Sequence, residues 1–211
     1  VVNSATKITA VVGSAHSGSV YVETPGGVIQ ANDFLYKVVE YKFENNVLDA
    51  TEANLDGVIK SYPTGGVTSY VTGVSGKAIS LDSKSYVDLP LNLIRGLGAN
   101  FTISVMFKTS TAGVILGYSN TDVNTSPSEW IPILMVRSDG KLQGTLWTTS
   151  GALNAISTTT VNDGNWHKVD FSATANSVTI YIDGAQAGTI SGAAVASLEM
   201  KFNQLGKGFT T

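Results

Sequence analysis

One short run of this chain carries the side chains best suited to meeting a sugar ring. In Leu142-Gln143-Gly144-Thr145-Leu146-Trp147, a period of two puts Leu142 and Leu146 on one face of a strand. Gln143, Thr145 and Trp147 then share the other. With the leucine face turned to a core, an indole stands exposed beside an amide and a hydroxyl. Aromatic faces stack on the apolar faces of sugar rings, and amides and hydroxyls read the ring hydroxyls. The loop 117–130, GYSNTDVNTSPSEW, adds Tyr118, Asn120, Asp122, Asn124, Glu129 and Trp130. Long polar loops are where a rigid scaffold carries its binding groups. The competing arrangement has Trp130 and Trp147 packed on each other or covering a sheet edge.

Other chemistries find less support. Asp49, Glu52, Asn54 and Asp56 fall close together, and hard oxygen donors from a loop suit Ca2+. Their spacing is not that of an EF-hand, and Asp122, Asp139 and Asp183 are alternative donors. Trp166-His167 lacks the neighbouring Ser or Cys and the orienting carboxylate that a nucleophile and base require, so a structural role is expected for it. His16 reads as a surface histidine of a Gly/Ser loop. With two His and no Cys there is no zinc cluster, no thiol nucleophile and no disulfide framework. Charged residues make up 14% of the chain and the formal net charge is −3, which leaves no basic footprint for nucleic acid. No apolar run approaches the roughly 20 residues of a membrane-spanning helix.

The elements that must position these groups are short strands. Asp163 to Gly184 reads DGNWHKVDFSATANSVTIYIDG. Val178, Ile180 and Ile182 alternate with Thr179, Tyr181 and Asp183, the mark of a strand with one buried face. His167, Val169 and Phe171 alternate with Trp166, Lys168 and Asp170 in the same way, and the polar SATANS between the two predicts a hairpin. Asp183-Gly184 predicts a tight turn into a further strand over 185–190. Upstream, strands are predicted at 77–81, 85–89, 101–108, 114–118, 131–137, 141–148 and 155–159, with shorter ones at 57–60 and 67–71. One helical turn is expected within 91–97. Strands of this length at roughly ten-residue spacing, bounded by Gly, Pro, Asn or Asp, argue for an all-β, antiparallel two-sheet sandwich.

The Trp-His strand, short loop and Tyr-Ile-Asp-Gly ending resemble the signature hairpin of laminin G-like domains in the concanavalin A-like lectin/glucanase superfamily. Tyr41-Lys42-Phe43-Glu44-Asn45-Asn46, Gly73 to Ala78 with Leu81, Tyr86 and Val87, and Phe101 to Lys108 follow in that family's order, over about residues 38–210. The resemblance implies a jelly-roll β-sandwich over 38–211, a structural Trp166-His167, and an acidic or amide loop after the first strand, where Asp49, Asn54 and Asp56 stand. Tyr41-Lys42-Phe43 is then the first strand and 201–207 the penultimate one; the family's closing strand is absent, so the expectation is either a sequence cut before it or strand addition from a neighbouring chain or domain. Glucanases of the superfamily carry Glu-x-Asp-x-x-Glu or Glu-x-Asp-x-Glu on one strand. The acids here occur singly, so no enzyme is expected. Residues 1–37, with the runs KITAVV and SVYVETPGG and then FLY, resemble the C-terminal part of an IPT/TIG immunoglobulin-like domain, a partial β-module joined directly to the sandwich.

The expected function is a non-catalytic module of a cell-surface or secreted protein that recognises glycans, with the export signal outside this sequence. A structural or adhesive spacer meeting cell-surface proteins is the alternative, and a glycoside hydrolase a third.

Overall fold

The computed structural model describes residues 2–4, 7–8, 21–24, 27–30, 37–51, 53–97, 100–148, 151–192 and 200–210. The chain divides into two units, Val1–Glu40 and Tyr41–Thr211. In the first, β1 (Val2–Ser4) pairs antiparallel with β2 (Lys7–Ile8), and β3 (Tyr21–Thr24) with β4 (Gly27–Gln30), Thr24 standing opposite Gly27. The expected strand at Phe34 to Tyr36 lies outside the described residues.

The second unit is built from β5 (Val58–Ser61), β6 (Thr68–Thr72), β7 (Lys77–Leu81), β8 (Ser85–Leu89), a helical turn α1 (Leu93–Gly96), β9 (Phe101–Lys108), β10 (Gly113–Ser119), β11 (Trp130–Val136), β12 (Lys141–Thr148), β13 (Gly151–Thr160), β14 (Trp166–Thr174), β15 (Ser177–Ile182), β16 (Ala185–Ser191) and β17 (Phe202–Leu205). They form a seven-stranded sheet in the order β13-β12-β11-β10-β17-β8-β5 and a four-stranded sheet in the order β16-β15-β14-β9, with β6-β7 as a separate hairpin. All pairings are antiparallel. This is the expected all-β sandwich.

Period-two patterning explains the core. Val169, Phe171 and Ala173 of β14 and Val178, Ile180 and Ile182 of β15 are buried, and they face Leu116, Leu134, Val136, Leu142 and Ala155 of the larger sheet. The Phe101 and Phe171 rings stack at 6.2 Å. The sheets approach closely at Gly144, where a Cβ would stand 2.6 Å from Ile180 Cγ2 and 3.0 Å from Phe171 Cδ2. The turn after β15 has φ of 52° at Asp183 and 84° at Gly184, the paired left-handed conformation of a two-residue hairpin loop.

Two expectations shift. Tyr41-Lys42-Phe43 makes only a single bridge, Tyr41 to Asp49, because Phe43 and Asn45 adopt φ of 56° and 60°, which turns the chain out of any extended ladder. Residues 155–159 belong to a longer strand that begins at Gly151.

Candidate functional site on the outer face of the larger sheet

Burial of one face of the seven-stranded sheet against its partner leaves the other face outward. Register assigns the residues there. Leu134 is opposite Gly144 and Leu116 opposite Leu205, which fixes the inner face, so Met135, Gln143, Thr145 and Asn154 share the outer face with Gln204, Asp88, Tyr86 and Lys60.

At the β11-β13 end, the side chains hold one another. Gln143 Nε2 donates to Thr145 Oγ1 at 3.2 Å and to Asn154 Oδ1 at 3.2 Å, and Thr145 Oγ1 donates to the same Asn154 oxygen at 3.0 Å. Gln143 is 4% exposed and Thr145 2%, so their orientations are fixed by packing. The remaining Gln143 oxygen accepts from Arg137 Nη1 at 2.9 Å. Arg137 opens the turn into β12, in which Gly140 N–H donates to the Arg137 carbonyl, and its Nε lies 3.3 Å from Asp139 Oδ1. Asp139 is held below the usual carboxylate range, first by the Lys141 backbone N–H and then, against a small burial penalty, by Arg137. Met135, Arg137, Ser138, Gln143 and Asn154 line an open pocket of about 190 Å3. Trp147 continues the same strand face opposite Ala152 but is half-buried and packs against the core, less exposed than its sequence position implies.

The β5-β8-β17 end is closed over. Lys60 Nζ bonds Asp88 Oδ2 at 2.6 Å and lies 3.5 Å from Asp122 Oδ2, and Tyr86 Oη lies 3.5 Å from Asp122 Oδ1. The hydrogen bond that Lys60 donates to Asp88 raises the pKa of Lys60 against the opposing effect of burial. Burial, and then the charge of Asp122, raises that of Tyr86. Val123 is buried, so the 120–129 loop lies over this end, anchored by Asp122. The segment after β17 crosses the same face: a Cβ on Gly117 would meet the Lys207 carbonyl oxygen at 2.6 Å, and Phe209 packs on Trp130 with ring centroids 6.1 Å apart.

The expected ligand residues are thus divided. Gln143 lines the pocket at the open end, Thr145 lies buried behind it, and Trp147 packs against the core. Asn120, Asp122 and Trp130 belong to the closed end, where Asn120 Nδ2 donates to Ser128 Oγ at 2.7 Å. Tyr118 is a correction: β10 runs through it to Ser119, it shares the inner parity of Leu116, and its hydroxyl donates to the buried Met200 carbonyl at 2.7 Å. Arg137, Asn154, Lys60, Asp88 and Gln204 were not singled out from sequence. A polar residue alternating with apolar ones is their only local signal, as in Ser85-Tyr86-Val87-Asp88-Leu89.

The Asp49 loop does not present a cation cradle. Asp49 Oδ1 accepts from Thr51 N–H at 2.9 Å and Oδ2 from Thr51 Oγ1 at 2.7 Å and Leu55 N–H at 3.2 Å, while Asp56 Oδ1 accepts from Asp49 N–H at 2.9 Å. Asn54 adopts φ of 55° and serves the turn. These carboxylates are turned to backbone donors of their own loop, and no group of three potential His, Cys, Asp or Glu ligands occurs among the described residues. The set does not fit Ca2+ in this conformation.

With the site described, the relatives can be compared. The family model of the concanavalin A-like lectin/glucanases superfamily named Laminin_G_3 matches residues 81–210. The chain belongs to this laminin G-like family. β8 to β17 fall inside the matched region, which leaves out β5, β6 and all of β7 but Leu81. Comparison with curated protein sequences gives no match. Among solved structures, this laminin G-like chain is similar to domain 4 of AbnA, a GH43 extracellular arabinanase from Geobacillus stearothermophilus, in complex with arabinotriose, at 21% identity, over 82% of this chain and 84% of that one, with a TM-score of 0.62. It is similar also to the binding domain of botulinum neurotoxin DC in complex with SialylT, at 15% identity, over 82% of this chain and 47% of that one, with a TM-score of 0.51. At these identities the likeness shows the fold. In the fold, His167 is structural: Nδ1 meets Asp183 Oδ2 at 2.8 Å and Nε2 meets Asp163 Oδ1 at 3.1 Å, tying the β14 start to the β15-β16 turn.

Proposed function

We propose that the Tyr41–Thr211 unit is a non-catalytic carbohydrate-binding module that takes its ligand along the outer face of β11, β12 and β13. The observation that carries this reading is the row formed by Gln143, Thr145 and Asn154, buried at its base and mutually hydrogen-bonded, beside an open pocket. Oriented donors and acceptors lose little freedom when they meet hydroxyls, which is how a shallow site gains affinity. Ile156, opposite Gln143 and exposed, and Met135 offer apolar surface for a ring face. A fold shared with a domain solved with arabinotriose supports the class of ligand. Against a hydrolase, Asp88 and Asp122 both lie on the Lys60 ammonium, the wrong setting for a proton-donating acid.

A protein-contact role is the second reading. It is favoured by the exposed Val58, Val67 and Val74. We place the module on the cell surface or in the secreted fraction, following the Val1–Glu40 unit as part of an IPT/TIG-like domain.

A glycan array probed with the wild-type chain and with Gln143→Ala and Trp147→Ala tests the reading. Wild-type binding weakened about fivefold or more by Gln143→Ala supports it, since an oriented amide contributes about 1–1.5 kcal/mol. Absence of wild-type binding to any glycan sinks the reading, and binding unaffected by both substitutions removes the site.

A further inference from the structure

Resting on that reading, we infer that the glycan is acidic, and that Arg137 receives a sugar carboxylate in the pocket it shares with Met135, Ser138, Gln143 and Asn154. A guanidinium carries five N–H donors in a planar fork. Two of its interactions are recorded: Nη1 to the Gln143 oxygen at 2.9 Å and Nε to Asp139 at 3.3 Å. The two contacts engage one arm of each guanidinium fork, Nε/Nη2 and Nη1/Nη2, and together fix its plane. Among the described residues Nη2 meets no acceptor, so its N–H groups are the donors a guest would meet.

The base of this arrangement is built, not incidental. Gln143 is 4% exposed, and its amide nitrogen is committed to Thr145 and Asn154, which forces its oxygen toward Arg137. An Arg held by a neutral amide keeps its charge available in a way that one clamped by two carboxylates does not. Asp139 offsets part of that charge, but its contact is long, its side chain is 45% exposed, and Lys141 stands close enough to depress its pKa. Arg137 is the charged side chain among those lining the pocket, on a chain of net charge −3. A neutral sugar gains nothing from such a site that an amide would not supply. A carboxylate does, because Arg and carboxylate pair in a fork-to-fork geometry with charge-assisted hydrogen bonds. From Gln143 to Trp147 the strand advances four residues, about 13 Å, so an acidic residue at Arg137 leaves room along the strand for further sugar units.

The test uses the full chain, titrated calorimetrically with oligogalacturonate, a glucuronate-terminated oligosaccharide and sialyllactose. Each is compared with its carboxyl-esterified or carboxyl-reduced form, and a sulfated neutral oligosaccharide is included. Arg137→Gln and Arg137→Lys are measured alongside, with thermal melting to verify folding. The expected result is that at least one carboxylate sugar binds, and that neutralising its carboxyl or introducing Arg137→Gln weakens binding about 10- to 100-fold, the range of a charge-assisted hydrogen bond. Arg137→Lys restores only part of the loss, because an ammonium lacks the planar fork. Preferred binding of the sulfated sugar overturns the carboxylate assignment. Equal binding of neutral forms, unaffected by Arg137→Gln, overturns this inference and leaves the glycan reading standing. No binding to any sugar overturns both.

Discussion

The two ends of the seven-stranded sheet's outer face use similar side chains to opposite effect. At the β5-β8-β17 end, Lys60 and Tyr86 meet the chain's own loop at Asp122, Asp88 holds Lys60 and is itself held by Gln204, and Tyr86 and Gln204 have no exposure at all. At the β11-β13 end, Gln143, Thr145 and Asn154 bind one another and present Arg137 to an open pocket. Polar residues on a sheet face therefore do not define a site by themselves. What separates the ends is whether a loop already occupies them. Substitutions at the closed end should lower stability, whereas substitution of the surface Arg137 at the open end should lower ligand affinity and leave stability nearly untouched.

The largest expected effect is at the closed end. Tyr86→Ala removes a fully buried aromatic ring and the anchor beneath the 120–129 loop, and should cost about 3–5 kcal/mol, as aromatic-to-alanine changes in cores do. Urea unfolding measures it. A loss below about 1 kcal/mol, in the range of an exposed-site change, would show that the loop does not cover this end. Arg137→Gln, by the same comparison, should be resolved in binding far more than in urea.

Next in size is the layer beneath the open end. Gly144 lies between Gln143 and Thr145 in β12 but faces inward, where a Cβ would meet Ile180 at 2.6 Å and Phe171 at 3.0 Å. Gly144→Val should destabilise by about 1–3 kcal/mol through overpacking, and should also weaken ligand binding by displacing its two neighbours. Unchanged affinity in a measurably destabilised variant would show that the open end tolerates movement of its strand, against the picture of a row fixed by packing.

Much of this architecture was readable from local pattern, because alternation reports burial directly. Val178, Ile180 and Ile182 and the Asp183-Gly184 turn needed no knowledge of distant strands. The same parity placed Gln143 and Thr145 on the outer face. Tyr118 falls in the overlap of the expected strand 114–118 and the expected loop 117–130, and its shared parity with Leu116 turns it to the inner face. The closed end was not readable, since β17 inserts between β10 and β8, and only that order brings Gln204 beside Asp88. Lys60, Asp88 and Asp122 meet across sequence separations that no local period encodes. Arg137 was hidden in another way, as the end of an apolar strand whose side chain returns across a turn.

The smallest expected effect concerns charges that belong to neither end. His167 sits between Asp183 and Asp163, and although burial opposes its charged form, the hydrogen bonds to both carboxylates raise its pKa above 6.5. Asp163 is lowered to about 2 by the Asn165 backbone and side chain and by His167, and Asp183 is lowered by His167 and the Lys168 N–H. A raised histidine stabilises the fold fully below its unfolded value near 6.5, and that contribution is lost as pH rises through the folded value. The lowered aspartates contribute above about 3.9 and lose the contribution as pH falls through their folded values. The clasp is therefore strongest between about pH 4 and 6.5, and His167→Gln should lower the melting temperature more at pH 5.5 than at pH 8. Since His167 lies on the smaller sheet, binding measured at the same two pH values should show no matching difference between wild type and variant. A parallel change in affinity would tie the clasp to the open end and dissolve the separation between residues that hold the fold and residues that meet the ligand.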